Sequence, residues 1–575
     1  MTDFDYDSPV SPVTERPHSK KTIFYFTMEV AIASDMPTYS GGLGVLAGDT
    51  LKAAADLGMP MVGVTMLWRN GYFKQEIDEK GWQHEENAIW DYHSKLRKLE
   101  NYARVKIEGQ SIRIETWEYE IIGKYGHRIP VYFLDTNLPE NPDYVRNLNQ
   151  YLYGGDEHDR LCQEVILGIG GVRILRDIGF NNGQVYHLNE GHASLLALEL
   201  IRERGYNSYD KIKKNCVFTT HTPVAAGHVE FPYELLKKVL HPIYLEHLEG
   251  IIGQGHSLNL TELSHKLSRF VNGVSQMHGK VAREMLNDPE IGAITNGIHL
   301  PTWIHPALQE VFNEEIRGWD FDHSQFVHAM KIPDEKILNA HKKAKQDLID
   351  FVSKRQNVKL YPDRLTFGFA RRAATYKRAD LLFTDVERLL KIAGGKLQLI
   401  YAGKAHPRDD EGKALIQRVI SAGKKLGKEI PLIYLSEYNM EIGAMLTAGC
   451  DIWLNNPRRP LEASGTSGMK AAVNGVLNFS ILDGWWIEGY IEGVTGWAIG
   501  PSADIADMKS YDENQDVEDL YQKLEKKILP LYYSDQSHWV EMMKHSIALI
   551  APYFNTQRML REYATYGYRI SPSFH

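Results

Sequence analysis

The sequence predicts an α/β protein of two doubly wound units, and three observations predict it. The chain has 575 residues, too many for one ordinary domain. From Thr22 to about His221, short aromatic and β-branched runs alternate with helical patterns, as in a parallel sheet covered by helices on both faces. The alternation then restarts at Leu365 with LTFGFA and continues through LQLIYAG, PLIYL and DIWLNN. The expected divisions are a disordered tail over 1–20 and a first unit over 21–305 with a β insertion near 68–135. A second unit follows over 306–535, and C-terminal helices over 536–575 cross back to the first.

Composition excludes several classes. At 43% hydrophobic and 24% charged, the chain resembles a soluble globular protein. No apolar run reaches the roughly 18 residues of a membrane helix, and the start lacks the apolar core of a signal peptide. A cytoplasmic location without a membrane partner is expected. The net charge of −9 gives a nucleic-acid partner no support. Cys162, Cys216 and Cys450 are widely separated and odd in number, which argues for core residues and against a disulfide framework or zinc cluster.

In chain order, residues 1 to about 20 are rich in Ser, Pro and charge. The strand TIFYF follows, and then Gly41, Gly42, Leu43 and Gly44 open a helix ending near Gly58. Such a glycine-rich turn lets backbone N–H groups approach an anion. Met61 to Leu67 is a buried strand, and RVKIEGQSIRIETWEYE and IPVYFLDT alternate as an inserted hairpin. After a helix from about Asp156 to Asp177 come strand VYHLNE, helix HASLLALELIRER and strand CVFTTHT. Asn189, Glu190, His192 and His221 therefore lie at carboxyl ends of strands, where ligands of such sheets gather. No third ligand at zincin spacing joins the histidines, so no metal is expected and they are assigned to substrate hydroxyls.

SHKLSRFVNGVSQMHGKVAREML reads as one helix, followed by the turn AITNGIH containing Asn296, then by Trp303. A helix from Asp334 to about Arg355 leads into the second unit. Strand LTFGFA runs directly into Arg371, Arg372, Lys377 and Arg378, four cations within eight residues at a ligand-bearing strand end. Guanidinium forks and a lysine point charge suit a phosphate clamp.

The most informative stretch is LEASGTSGMKAAVNGVLNFSILDGWW, from Leu461 to Trp486. Between Glu462 and Asp483 it carries a single charge, Lys470, without an obvious solvated face. Burial disfavours an ammonium, whereas a lysine that forms a Schiff base has a chemical reason to be buried. Glu462 to Lys470 resembles the cofactor-lysine segment of the α-glucan (glycogen, starch and maltodextrin) phosphorylases, and the ordered resemblance extends roughly from Thr22 to Asp483.

That resemblance implies two Rossmann-like domains facing across a cleft, the GT-B type of glycosyltransferase architecture. It also implies pyridoxal 5'-phosphate on Lys470, contacted by Thr466, Ser467, Gly468, Trp303 and Tyr438. Arg372 and Lys377 would hold phosphate, with Gly42 beside the reacting centre. His221, Asn296, Glu462, Ser464, Gly465, Leu43 and Glu190 would bind the sugar. The implied reaction is reversible phosphorolysis of terminal α-1,4-glucosyl units of glycogen or maltodextrin to glucose 1-phosphate, with retention. A homodimer is left open, though not one built on the N-terminal helices of long family members, and regulation of their kind is not expected. Ser467-Gly468 stands where the family commonly has Gly-Asn.

Two alternatives remain at this point. Glycogen and starch synthases share the fold and a glycine turn, but carry a second glutamate where this chain has Lys470, eight residues after Glu462. The other is a weakly active glucan-binding or regulatory homologue.

Overall fold

The computed structural model describes residues 21–181, 184–205, 208–253, 256–356, 358–501 and 512–571. The tail expected over 1–20 lies outside them. The described residues build two large sheets. The first contains β1 (Ile23–Phe26), β2 (Met61–Met66), β3 (Arg97–Ile107), β4 (Gln110–Ile122), β5 (Arg128–Asp135), β6 (Val185–Asn189), β7 (Cys216–Thr219), β8 (Phe270–Gly273) and β9 (Gly292–Ala293). Their order is β9-β8-β7-β6-β1-β2-β5-β4-β3. The second contains β10 (Leu365–Ala370), β11 (Leu397–Ala402), β12 (Leu432–Leu435), β13 (Ile452–Asn455), β14 (Leu477–Ile481) and β15 (Gly496–Ile499), in the order β12-β11-β10-β13-β14-β15.

The pairings are parallel except around the hairpin β3-β4-β5. Parallel strands are covered on both faces, so they are written as continuous apolar runs, and β1, β2, β10 and β11 are buried throughout. In β1 the side chains split by parity. Phe24 and Phe26 enter one core cluster, and Ile23 and Tyr25 enter the other. Each sheet reverses its winding once, between β1 and β6 in the first and between β10 and β13 in the second. Ligands of doubly wound sheets bind beyond the carboxyl ends at such points. The segments that begin with Thr27, Glu190, Arg371 and Asn456 leave those ends.

Two expectations are corrected. IPVYFLDT is no part of an insertion, because β5 pairs in parallel with β2, and the β3-β4 hairpin extends the main sheet at its edge. The stretch read as a single helix from Ser264 to Leu286 is broken by β8. Phe270, Val271 and Asn272 align with Val217, Phe218 and Thr219, and the Thr219 hydroxyl donates to Asn272 Oδ1 at 2.9 Å. A short apolar run has no periodicity of its own to distinguish the two states.

Four helices bear on the site, α1 (Gly42–Asp56), α3 (Ser467–Ala472), α4 (Gln536–Ile550) and α5 (Thr556–Glu562), while α2 (Tyr209–Lys213) leads into β7. Asn555 caps α5 by accepting from Arg558 N at 2.9 Å, as its residue type suggests. Met559 and Leu560 of α5 share a core cluster with Leu51 and Ala54 of α1, and Thr556 N donates to Ile298 O at 3.0 Å. The chain end thus returns to the first sheet. The three cysteines are free and buried. Among the described residues no helix is long and apolar enough to cross a membrane.

Candidate active site

At the first sheet's reversal, Glu29 follows β1 and is buried. Its carboxylate accepts from Ser40 N at 2.6 Å, Gly41 N at 3.2 Å and Tyr153 Oη at 2.9 Å, which ties the glycine turn to the strand end. The turn's glycines have different reasons. A Cβ on Gly44 would lie 2.7 Å from Glu29 Oε2, and one on Gly48 would lie 1.9 Å from Ala31 O, so both are packing requirements. A Cβ on Gly41 or Gly42 would meet nothing within 4 Å. Those two positions leave room for a bound group next to the first N–H groups of α1, including that of Leu43.

His221 is oriented by a chain of hydrogen bonds that also sets its tautomer. Thr27 Oγ1 donates to Glu29 O at 2.8 Å, so it accepts from Asn189 Nδ2 at 3.1 Å, which turns Asn189 Oδ1 toward His221 Nε2 at 2.8 Å. Nε2 therefore carries the proton and Nδ1 keeps a lone pair. Burial pushes the His221 imidazole down to about 3, so the ring is neutral. Glu190 is a tether: at φ 72° its carboxylate accepts from Gly191 N, His221 N and the Thr222 hydroxyl at 3.0, 2.8 and 3.1 Å. His192 lies against Arg160, 3.3 Å from its guanidinium. Asn296 is held by its backbone, N to Val274 O at 3.0 Å and O from Arg558 at 3.1 Å, and its buried Oδ1 has no partner among the described residues.

At the second sheet's reversal the four cations divide. Arg378 leaves the site to pair with Asp516 at 2.7 Å and to donate to the carbonyls of Asn456 and Pro457. Arg371, one of the four cations but not one the resemblance assigned to phosphate, meets Glu462 Oε2 at 2.8 Å, and Lys377 donates to the same oxygen. Burial opposes the charge on Glu462, but these two cations overcome it and hold the carboxyl at about 2. The trio carries one net positive charge, and Arg371 Nη1 is buried without a partner among the described residues. Arg372 forms no ion pair among the described residues and is exposed, next to Tyr376 and Tyr72.

The segment after Glu462 turns toward α3. Gly465 has φ +75°, and a Cβ there would approach Glu462 Oε1 to 3.4 Å and Arg371 Nη2 to 3.6 Å. Ser464 O accepts from Trp485 N at 3.0 Å. Thr466 is the N-cap of α3 without a side-chain capping bond. Ser467 Oγ accepts from Trp453 Nε1 at 3.1 Å, and Gly468 is demanded by packing, since a Cβ would lie 2.5 Å from Asn478 Oδ1. The Tyr438 phenol is pushed up to about 12 by burial, with Arg371 opposing.

Lys470 is 7% exposed, and its Nζ lies 3.7 Å from the centroid of the Trp303 ring. That Nζ makes no hydrogen bond among the described residues. Burial lowers the amine to about 8, with Asp49 opposing and Lys52 adding to the shift. Trp303 Nε1 donates to Asp49 Oδ2 at 2.8 Å, while Asp49 Oδ1 is a buried, unpartnered oxygen. An unsatisfied buried amine fits an aldehyde, the unpartnered Arg371 nitrogen fits an anionic phosphate, and the orphaned Asp49 oxygen fits a hydrogen-bond donor on the same ligand. Asp49 was missed in the sequence, although it stands seven residues, two helical turns, after Gly42, and Arg371 was named there only as one of the four clamp cations.

These segments meet through direct bonds between the two sheets' loops. Met440 N donates to the Tyr39 hydroxyl at 2.9 Å, Ser275 Oγ to Ala463 O at 2.6 Å, and His305 N to Asn474 Oδ1 at 2.8 Å.

Comparison with known proteins gives a consistent result. The model of the carbohydrate phosphorylase family matches residues 28–130 and 177–494. The chain is 38% identical to a maltodextrin phosphorylase of Thermococcus litoralis, an alignment covering 96% of this chain and 71% of that one. It is 36% identical to a glycogen phosphorylase of Mycobacterium tuberculosis, over 95% of this chain and 70% of the other. For a glycogen phosphorylase of Aquifex aeolicus the identity is 35%, covering 95% and 85%.

Proposed function

This chain belongs to the carbohydrate phosphorylase family, and on that premise we propose that it is an α-glucan phosphorylase. It transfers the terminal α-1,4-glucosyl unit of glycogen or maltodextrin to inorganic phosphate, giving glucose 1-phosphate with retention, and runs in both directions. The two doubly wound units, over 21–305 and 306–535, face each other across the site in the GT-B manner, in the cytoplasm. The observation that carries the residue assignment is the unsatisfied, buried Lys470 amine beside Trp303.

Lys470 would hold pyridoxal phosphate through its amine, which lies over the Trp303 ring, and Thr466, Ser467 and Tyr438 would be its further contacts. When bound, that group supplies a phosphate monoester whose second pKa of about 6 suits proton exchange with inorganic phosphate near neutrality. Arg372 and the Arg371-Lys377-Glu462 trio provide positive charge where two phosphates would otherwise repel, and hold it in place as the sugar gains cationic character. Glu462 Oε1 accepts from a sugar hydroxyl. The lone pair on His221 Nδ1 and the free Asn296 Oδ1 accept from others, while Gly42 and Leu43 present backbone N–H groups to the phosphate side. Glu190 acts by holding His221, not by touching sugar.

Incubation with maltodextrin and phosphate is expected to release α-glucose 1-phosphate, measured by an enzyme-coupled assay. Transfer from a nucleotide sugar with no phosphate-dependent release would overturn the reading.

A further inference from the structure

At the opposite ends of the first sheet's strands lies a surface pocket of about 530 Å³, lined by Lys21, Asp210, Lys213, Lys214, Arg269 and Arg569. Lys21 precedes β1, Lys214 precedes β7 and Arg269 precedes β8, so three parallel strands bring their amino ends to it. The candidate active site follows the carboxyl ends of the same sheet. At about 3.3 Å per residue, strands of four or five residues separate the two places by roughly 15 Å.

Five of the six lining side chains are cationic, and none of the five forms an ion pair with a described residue. Neutral carbonyls orient two of them. Lys21 Nζ donates to Tyr568 O at 2.9 Å, Arg269 Nε donates to Lys214 O at 3.0 Å, and Arg269 Nη2 donates to Gly567 O. These bonds fix the cations without neutralising them. Burial lowers the Lys21 amine, and Arg269 and Arg569 add to the shift. Arg269 is lowered by burial and then by Arg569. Like charges are thus gathered round a concavity at a cost to the fold, with Asp210 as the single lining carboxylate. Neither the phosphorolysis site nor the packing of the first sheet accounts for such an arrangement.

We propose that this pocket is a second anion site, which binds a small molecule carrying two or more phosphate groups. Its volume is that of ordinary small-molecule sites. Arginine forks and lysine point charges are the groups that recognise phosphate oxygens. A single phosphate would engage only part of a lining drawn from four chain segments, so a polyphosphorylated ligand matches it better.

Titration calorimetry of the full chain with inorganic tripolyphosphate tests the proposal, with Arg372→Ala present as a second protein to remove anion binding at the candidate active site. Lys214 and Arg569 are both exposed, so reversing their charge leaves the packing alone. The expected result is that Arg372→Ala still binds, while Lys214→Glu/Arg569→Glu loses affinity by about tenfold or more and melts like the parent without ligand. A second pair, Lys213→Glu/Lys214→Glu, spares the left-handed turn at Arg569 and is expected to lose affinity similarly. No binding by the parent, unchanged affinity in both pairs, or a loss confined to Arg372→Ala would each overturn it.

Discussion

Lys345 and Lys470 are both buried lysines of the second unit, and the difference between them separates structural from chemical burial. Lys345, on the helix Asp334–Gln356, is 4% exposed and donates to Asp451 Oδ2 at 2.6 Å, Arg364 O at 2.7 Å and the Tyr532 hydroxyl at 3.0 Å. All three of its donors are matched. Asp451 in turn is held by His341 and Thr366 N at 3.0 and 2.7 Å, and the network joins that helix to β10. Lys470 is nearly as buried, but its amine faces an aromatic ring and has no hydrogen-bond partner among the described residues. Burial alone does not mark a functional lysine; the role proposed for Lys470 rests on burial with unmet donors.

The comparison can be broken in several ways. The largest effect is expected from Lys470→Ala, which should abolish cofactor retention and activity; full turnover in that variant would remove Lys470 from the site. Lys345→Met should do the opposite. It strands the Asp451 carboxylate and should cost about 3–5 kcal/mol of stability in denaturant unfolding, while the folded fraction keeps its specific activity. Arg372→Ala should spare cofactor content and lower kcat/KM for phosphate by about 10²–10³, the usual cost of losing one charge-stabilising donor. An unchanged phosphate dependence would take Arg372 out of the clamp.

A smaller effect sharpens the contrast in sign. An amine lowered to about 8 by burial is held at a cost of up to about 3 kcal/mol near neutrality. Lys470→Met should therefore raise the melting temperature of the cofactor-free protein, where Lys345→Met lowers it. The same lowered value predicts a pH dependence. Only the neutral amine attacks an aldehyde, so cofactor uptake by the stripped protein should slow about tenfold per pH unit below about 8 and level off above it. Stopped-flow absorbance would follow it, and a rate flat between pH 6 and 8 would contradict the assignment.

These two lysines also illustrate how much could be read from the chain. Lys470 was legible because its neighbours are apolar or small for several residues on either side. Lys345 was not, because it sits in HKKAKQDLID, a stretch that looks like the solvated face of a helix, and only the tertiary contact with Asp451 buries it. The parallel sheets were legible from their apolar runs. Strand β8 was hidden, because its identity depends on pairing with β7. Arg371 and Arg372 are adjacent in sequence. Which of them binds Glu462 is decided by the strand end they leave, a fact of geometry that residue types do not encode. Glu190 stood where a ligand-binding residue was expected, yet its oxygens are taken by Gly191, His221 and Thr222.

The most direct test of the central claim is borohydride reduction of the purified protein, followed by peptide mass mapping of every lysine. The account predicts a stoichiometric pyridoxyl-phosphate adduct on Lys470 and none on Lys345. An adduct on another lysine, or none after incubation with added pyridoxal phosphate, would contradict it.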